Sequence, residues 1–225
     1  MNDERKILVV LSGGMDSTVA LYHAVQVVGA NNVGAVTFNY GSKHNEREGA
    51  CAELSARHLN ITEHIQIDLA FMNEHFKSDL LQSGGEIPEG HYEDSNMVKT
   101  VVPFRNGIML SVATGLAESK GYTEVMLGNH QGDHAVYPDC RKEFTDSFAD
   151  AMRAGTYAGV QLVAPFVNVR KETIASVGHE MSVRWEHTFS CYKGGEAHCG
   201  VCGTCVERKE AFELAGIPDP TSYLS

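Results

Sequence analysis

The feature that most constrains the fold of this sequence is a short apolar segment followed directly by a turn rich in glycine and serine. Residues 7–11 read Ile-Leu-Val-Val-Leu, and residues 12–17 read Ser-Gly-Gly-Met-Asp-Ser. A strand that is apolar at every position is typical of a parallel sheet covered on both faces, because neither side of it meets water. Residues 17–28 show helical spacing of apolar side chains, and Gly29 is a natural helix end. The chain therefore begins with a buried strand, a tight polar turn and a helix.

The rest of the chain continues this alternation. Apolar runs and helical periodicity predict further strands at 33–38, 65–69, 124–128 and 160–166, and helices at 45–59, 106–120, 143–154, 171–181 and up to Gly216. Residues 70–100 show no clear pattern and are predicted to form a long loop. Alternating strands and helices indicate an α/β fold with a doubly wound, mostly parallel sheet. We predict a nucleotide-binding domain over 1–185 and a small metal-binding appendage with a C-terminal helix over 186–225.

Charge and hydropathy limit the partners of the chain. Its 225 residues carry a formal net charge of -11, and the sequence contains no run of lysine and arginine residues. Such a chain repels the phosphate backbone of nucleic acid, whereas a small anion such as ATP can still be held locally by backbone amides and a metal ion. No apolar run is long enough to cross a bilayer, and the polar first six residues do not resemble a signal peptide. We expect a cytoplasmic protein with neither nucleic acid nor a membrane as partner.

The turn after the first strand has the composition of a phosphate-binding loop. Gly13 and Gly14 let the backbone approach a ligand closely, and the N-terminus of the following helix favours negative charge. Ser12 and Ser17 add hydroxyl donors, and Asp16 is a candidate ligand of Mg2+. The Walker and dinucleotide-binding glycine patterns are both absent. The alternative is a plain strand-to-helix turn in which Ser and Asp only cap the helix.

Four of the six cysteines lie close together near the C-terminus. Cys191, Cys199, Cys202 and Cys205 have the spacing C-x7-C-x2-C-x2-C. Thiols in a reducing compartment do not form stable disulfides, and four sulfur ligands suit a structural zinc ion. An iron–sulfur cluster or a redox dithiol remains an alternative.

Two further segments carry candidate site residues. Arg105 precedes a predicted helix and is suited to bind a phosphate or carboxylate, or else is a surface arginine beside the capping residue Asn106. Residues 133–141 combine an aromatic ring, a proline and two carboxylates, which suits a flat heterocycle with N–H donors; the alternative is a turn stabilised by Asp and Pro. Histidines in such loops more often face solvent than bind a ligand, so His130 and His134 are given no role. Because the loops after the first, second and fourth strands leave the same edge of a parallel sheet, we expect them to converge on one site.

The Ser-Gly-Gly-Met-Asp-Ser turn resembles the signature of the PP-loop ATP pyrophosphatases, which cleave ATP between the α- and β-phosphates and adenylate a carbonyl or carboxylate oxygen. This resemblance implies that one continuous segment contacts ATP. Its residues are Leu11, Ser12, Gly13, Gly14, Met15, Asp16, Ser17, Thr18, Val19, Ala20 and Leu21.

A larger set of motifs resembles the 7-cyano-7-deazaguanine synthase family nearly from end to end. The set comprises the phosphate loop, Asn39-Tyr40-Gly41, Val102-Pro103-Phe104-Arg105-Asn106, Tyr137-Pro138-Asp139-Cys140-Arg141, Ser190-Cys191-Tyr192 and the four cysteines. The resemblance implies conversion of 7-carboxy-7-deazaguanine and ammonia to the nitrile with ATP, Mg2+ and Zn2+, usually in a homodimer. It implies catalytic roles for Ser12, Asp16, Ser17, Arg105 and Asp133, and substrate binding by Tyr137, Pro138, Asp139 and Arg141.

One stretch departs from the family pattern. After Asp133 the family has an aromatic residue and Ser-Gly, whereas this chain has His134-Ala135-Val136, and residues 129–131 differ as well. An enzyme that releases the amide for DNA modification or defence is therefore an alternative. A PP-loop tRNA thiolase, a nucleotide sensor without catalysis and a cysteine-based protein-interaction module are others, and the net charge of -11 opposes the thiolase.

Overall fold

The protein, described by a computed structural model over residues 5–92 and 94–224, is built on a five-stranded parallel sheet. The polar N-terminus that argued against a signal peptide lies mostly outside these residues. The strand order is β3-β2-β1-β4-β5, which is a doubly wound arrangement. The strands are β1 (Ile7–Val10), β2 (Val33–Asn39), β3 (Glu63–Asp68), β4 (Glu124–Met126) and β5 (Gln161–Val163).

Helices connect the strands and cover both faces of the sheet. They are α1 (Met15–Val28), α2 (Asn45–His58), α3 (Phe71–His75), α4 (Arg105–Lys120), α5 (Lys142–Gly155), α6 (Lys171–Glu180) and α7 (Gly203–Ala215). Every strand and helix that the sequence predicts is present, which confirms the α/β fold. The last strand is shorter than predicted, because β5 is an edge strand that pairs with β4 over only three residues.

The position of β1 in the middle of the sheet explains why its sequence is apolar throughout. Leu8 and Val10 belong to an apolar cluster on one face of the sheet, together with Leu110 of α4. Ile7 and Val9 belong to a second cluster on the other face, with Val19 of α1 among its members. Neither face of β1 is open to solvent, as predicted for a strand in the middle of a parallel sheet.

The segment between β3 and α4 is mostly irregular, as its composition predicts. Its described residues include the short helix α3 and the 3-10 segment Ser95–Thr100. The Lys43 ammonium holds this loop against the domain by donating to the carbonyl oxygens of Asp79 and Leu81. The loop therefore has fixed anchor points near the carboxyl edge of the sheet.

The C-terminal segment packs closely on the α/β domain. Trp185 and Phe212 of α7 meet edge to face, with ring centroids 5.0 Å apart. The Arg208 side chain, fully buried, pairs with Asp219 and donates to the Thr188 hydroxyl. The segment shares an apolar cluster with the sheet, and the domain boundary after residue 185 stays a prediction. Among the described residues, no helix is long and apolar enough to span a membrane.

Candidate active site

The phosphate loop turns sharply between β1 and α1. Gly13 has a φ of 93°, and a Cβ atom there would lie 2.0 Å from the carbonyl oxygen of Glu48, so that only glycine fits. The hydroxyls of Ser12 and Ser17 lie 3.0 Å apart, and the Gly14 N–H donates to the Ser12 oxygen. The loop thus presents two hydroxyls and the start of a 14-residue helix to the same space.

The loops that follow β1, β2 and β4 meet in one cleft at the carboxyl edge of the sheet, as predicted. The phosphate loop forms one wall, and residues from α2, α4 and the C-terminal segment form the others. The cleft is lined by Val10, Ser12, Gly14, Met15, Asp16, Ser17, Tyr40, His44, Glu48, Tyr92, Arg105, Asn106, Met109, Leu127, Gly128, Asn129, Asp133, Cys140, Lys171, Phe189, Ser190, Tyr192 and Thr204.

Arg105 lies among aromatic rings rather than on the outer surface. Its guanidinium donates to the Tyr40 hydroxyl over 3.1 Å and lies over the rings of Tyr40 and Tyr137, at 5.5 and 6.0 Å from their centroids. The Tyr137 hydroxyl contacts those of Thr100 and Tyr192 at 2.8 and 3.2 Å. This arrangement fixes a planar cation at the mouth of an aromatic pocket, where a carboxylate or phosphate can be bound.

The Tyr-Pro-Asp-Cys-Arg loop lies beside this pocket and contributes to the start of α4. The buried Asp139 carboxylate accepts a hydrogen bond from the Asn106 backbone N–H over 2.8 Å. The Asn106 side chain donates back to the Asp139 carbonyl and to the Cys140 sulfur. Pro138 and Arg141 are exposed, and Arg141 donates to the His134 carbonyl. Recognition of a substrate by Tyr137, Pro138, Asp139 and Arg141 stays a prediction.

A cluster of charged side chains adjoins the phosphate loop, and we call it the ionic cluster: Asp16, His130, Asp133, Lys171 and Glu207. The Lys171 ammonium lies 3.1 Å from Asp16 Oδ2 and 2.6 Å from Glu207 Oε2. His130, to which the sequence assigns no role, is only 1% exposed and so differs from the usual solvent-facing loop histidine. Its Nε2 faces Asp16, Asp133 and Glu207 at 3.6–3.8 Å, because the turn after β4 folds the ring inward.

The pKa values in the ionic cluster follow from burial and from the neighbouring charges. Burial by itself raises the pKa of Asp133, but His130, Lys171 and hydrogen bonds from the His130 N–H and the Tyr92 hydroxyl bring it below its ordinary value. Burial raises the pKa of Glu207, although Lys171 and His130 oppose the shift. Burial disfavours the charged form of Lys171, yet the carboxylates around it raise its pKa, so that it stays a cation.

A second buried histidine lines the cleft itself. His44 is 2% exposed and stacks on Tyr192, with ring centroids 5.2 Å apart. Its Nε2 lies 3.3 Å from a carboxylate oxygen of Glu48, one helical turn further along. Sequence reasoning missed His44, Glu48, Lys171 and Glu207, since no local motif marks them and only the fold brings them together.

The four cysteines near the C-terminus converge as their spacing predicts. All four sulfur atoms lie within 4.8 Å of one another, and Cys199 and Cys205 sulfurs are 3.9 Å apart. Sulfur atoms around a tetrahedral zinc ion, with Zn–S bonds of about 2.3 Å, lie roughly 3.8 Å apart. The backbone N–H groups of Val201 and Cys202 donate to the Cys199 sulfur. The group therefore fits a closed metal site with four sulfur ligands.

Solved structures share the fold at low sequence identity. NMN synthetase from Francisella tularensis matches 96% of this chain and 79% of its own length, with a TM-score of 0.51 and 16% identity. The U34-tRNA thiolase NcsA from Methanococcus maripaludis, with its [4Fe-4S] cluster, matches 80% of this chain and 57% of its own length, with a TM-score of 0.52 and 13% identity. At these identities the likeness extends to the fold alone.

Sequence relatives are much closer. The 7-cyano-7-deazaguanine synthase of Porphyromonas gingivalis is 52% identical over 223 residues, which cover 99% of both chains. The enzyme of the same name from Desulfotalea psychrophila is 47% identical over 96% of this chain and 98% of its own. The sequence model of the family described as "Queuosine biosynthesis protein QueC" matches residues 6–216. Because the match is nearly complete in both directions, this chain belongs to the QueC family of queuosine biosynthesis proteins.

Proposed function

We propose that this protein is an ATP-dependent carbon–nitrogen ligase that converts 7-carboxy-7-deazaguanine and ammonia to 7-cyano-7-deazaguanine. The observation that carries the proposal is the 52% identity, over 99% of both chains, to a curated 7-cyano-7-deazaguanine synthase. The chemistry of the cleft supports it, because the cleft joins a phosphate loop to an aromatic pocket that contains Arg105.

The reaction requires two activations by ATP. A carboxylate is a poor electrophile, since its leaving group would be oxide. Transfer of AMP to a carboxylate oxygen releases pyrophosphate and makes that oxygen a good leaving group. Ammonia then displaces AMP and loses a proton to give the amide. AMP transfer from a second ATP to the amide oxygen again releases pyrophosphate, and loss of AMP together with both protons of the nitrogen leaves the nitrile.

The residues of the cleft have distinct roles in this scheme. Ser12, Ser17 and the N-terminus of α1 hold the pyrophosphate, whose negative charge grows as the α–β bond breaks. The Lys171 ammonium adds a positive charge at the same place. Arg105 holds the carboxylate under attack or the α-phosphate. Asp133 stays ionised beside Lys171.

The ionic cluster fits a magnesium ion, and the cysteine cluster fits zinc. Asp16 Oδ1 is a buried oxygen without a hydrogen-bond partner, and carboxylate oxygens are the protein ligands that Mg2+ prefers. Asp16 and Asp133 would hold this ion, which supplies charge neutralisation for the phosphates when bound. Zn2+ held by the four cysteines would fix the start of α7. The proposal also includes assembly of the enzyme as a homodimer and a location in the cytoplasm.

Mass spectrometry of the product tests the proposed function. The protein is incubated with 7-carboxy-7-deazaguanine, ATP, Mg2+ and ammonium, and we expect the nitrile as the final product. Accumulation of the amide without nitrile would identify the alternative enzyme that stops at the first product. Absence of any pyrophosphate release with this acid would refute the proposal.

A further inference from the structure

The ionic cluster links the phosphate loop to the C-terminal helix through one lysine. Lys171 Nζ lies between Asp16 Oδ2, at 3.1 Å, and Glu207 Oε2, at 2.6 Å. Lys171 lines both the cleft and a second cavity, and Glu207 lines only the second one. The Glu207 carboxylate is therefore placed to act on the cleft through Lys171.

The ion pair of Lys171 and Glu207 is largely buried, unlike the ion pairs on the protein surface. The side chains of Lys171 and Glu207 are 11% and 13% exposed, whereas Lys142 and Asp146 on α5 form a pair that is more than half exposed. A surface pair contributes little because water competes for both charges, but removal of one partner from a buried pair leaves the other charge uncompensated. Without Glu207, the Lys171 ammonium would turn fully toward Asp16 and neutralise it.

His130 explains how three carboxylates coexist around one lysine. Its Nδ1 accepts a hydrogen bond from the Gly132 N–H over 3.0 Å, so in the neutral ring the proton lies on Nε2. That N–H has no hydrogen-bond partner, and its positive end faces Asp16, Asp133 and Glu207 at nearly equal distances. The ring thus attracts all three carboxylates electrostatically but forms a hydrogen bond with none of them. Glu207 Oε2 therefore stays available to bind Lys171.

The position of Glu207 is fixed by the cysteine cluster. Cys202 is the residue that precedes α7, and Cys205 lies in the first turn of that helix. Glu207 follows Cys205 by two residues, on the face of α7 that packs against α6, from which Lys171 projects. The metal site is thereby connected to the phosphate loop by two contacts, Glu207 to Lys171 and Lys171 to Asp16.

We propose that Glu207 is a positioning residue that holds the Lys171 ammonium beside the phosphate loop, where it binds the β- and γ-phosphates of ATP. The inference rests on the proposed function, but only in taking ATP as the bound nucleotide. It assigns Glu207 no contact with substrate, and it gives the C-terminal segment a part in nucleotide binding besides its structural role.

Calorimetry with the non-cleavable analogue α,β-methylene-ATP and Mg2+ tests this inference without turnover. The proteins compared are wild type, Lys171→Met, Glu207→Gln and the double variant. We expect each single substitution to weaken binding roughly tenfold. Because Glu207 acts through Lys171, the double variant should bind no more weakly than Lys171→Met alone. If Glu207→Gln weakened binding through an unrelated structural change, the fold-losses in affinity of the two single variants would instead multiply in the double variant.

The matched control is Glu210→Gln, one turn further along α7, where the carboxylate faces His91 at the surface. It should bind the analogue as wild type does, and all variants should retain the same metal content. The inference is overturned when Glu207→Gln binds as tightly as wild type, or when the two losses multiply. A wild-type protein that binds the analogue but forms no product refutes the proposed function and leaves this inference intact.

Discussion

Two polar clusters flank the start of α7, and they are built on opposite principles. The cysteine cluster takes all its ligands from residues 191–205, and its sulfur atoms lie within 4.8 Å of one another. The ionic cluster collects its members from the phosphate loop, the turn after β4, α6 and α7. One cluster is a local segment suited to bind one ion, whereas the other forms only when the whole sheet edge has assembled.

This difference predicts different consequences of damage. With the proposed metal bound, the four sulfur ligands would share one ion. Its loss would leave four thiols crowded in an apolar setting and would remove the link that holds the segment together. In the ionic cluster Lys171 pairs with both Asp16 and Glu207, so a single carboxylate substitution changes the local charge while one ion pair stays in place. Damage to the cysteine cluster should therefore appear in stability, and damage to the ionic cluster in nucleotide chemistry.

Metal removal should give the largest effect. We expect one zinc ion per chain and a colourless protein. A strong chelator should lower the free energy of unfolding by several kcal/mol, on the order of the larger losses seen when structural metal is withdrawn. Thermal unfolding combined with elemental analysis measures both quantities. Cys51→Ser, a cysteine outside the cluster, serves as the control. A brown protein that contains iron would contradict the zinc assignment.

Asp16→Asn should give the next largest effect, and on catalysis rather than stability. Loss of this carboxylate removes the proposed ligand for Mg2+ and a partner of Lys171, and kcat/KM for ATP should fall roughly 100-fold. The melting temperature should change little, because Lys171 keeps Glu207. Pyrophosphate release measures the rate, with Asp150→Asn on the exposed face of α5 as control. If Asp16→Asn lowered stability as severely as activity, the proposed difference between the cysteine cluster and the ionic cluster would be contradicted.

Asp139→Asn should have a smaller effect, confined to the acid substrate. The asparagine keeps an oxygen that can accept from the Asn106 N–H, so α4 should start normally. If the carboxylate reads the N–H edge of the deazapurine, its loss should raise the KM for the acid roughly tenfold and leave the KM for ATP unchanged. Steady-state kinetics with each substrate varied in turn measures both constants. An unchanged KM for the acid would remove Asp139 from the substrate pocket.

The smallest expected effect is a change with pH in the stability that Asp133 contributes. Because its pKa is lowered in the folded protein, its contribution to stability is fully present above about pH 4, the unfolded value, and is lost as the pH falls through the folded pKa. The stability difference between wild type and Asp133→Asn should therefore shrink as the pH falls from 5 to 3. Chemical denaturation at each pH measures it. Metal loss at low pH affects both proteins alike, so a constant difference would contradict the assigned pKa shift.

Features encoded in short segments were predictable from the sequence. The apolar run of β1 implied burial on both faces, and the glycines of the phosphate loop implied a tight turn, which the φ of 93° at Gly13 shows. The cysteine spacing implied convergence of four sulfur atoms. In each case the physical constraint acts within about fifteen residues, where spacing along the chain translates directly into geometry.

The ionic cluster was not predictable in the same way. His130 has no local mark that separates a buried ring from a surface one, and its burial follows from the packing of α7 against the turn after β4. Lys171 and Glu207 are thirty-six positions apart in sequence and meet only because α6 and α7 pack together. Asp139 was expected to face a substrate, and its contact with the start of α4 depends on a neighbouring segment as well.

The most direct test of the proposed reaction follows the oxygen atoms of the acid. The protein is supplied with 7-carboxy-7-deazaguanine labelled with 18O at both carboxylate oxygens, together with ATP, Mg2+ and ammonium. Two successive adenylations move each oxygen onto a separate AMP, so every nitrile formed should be matched by two AMP molecules that each carry one 18O. Unlabelled AMP, or label recovered in inorganic phosphate, would contradict adenylation of the carboxylate and with it the assignment of the cleft.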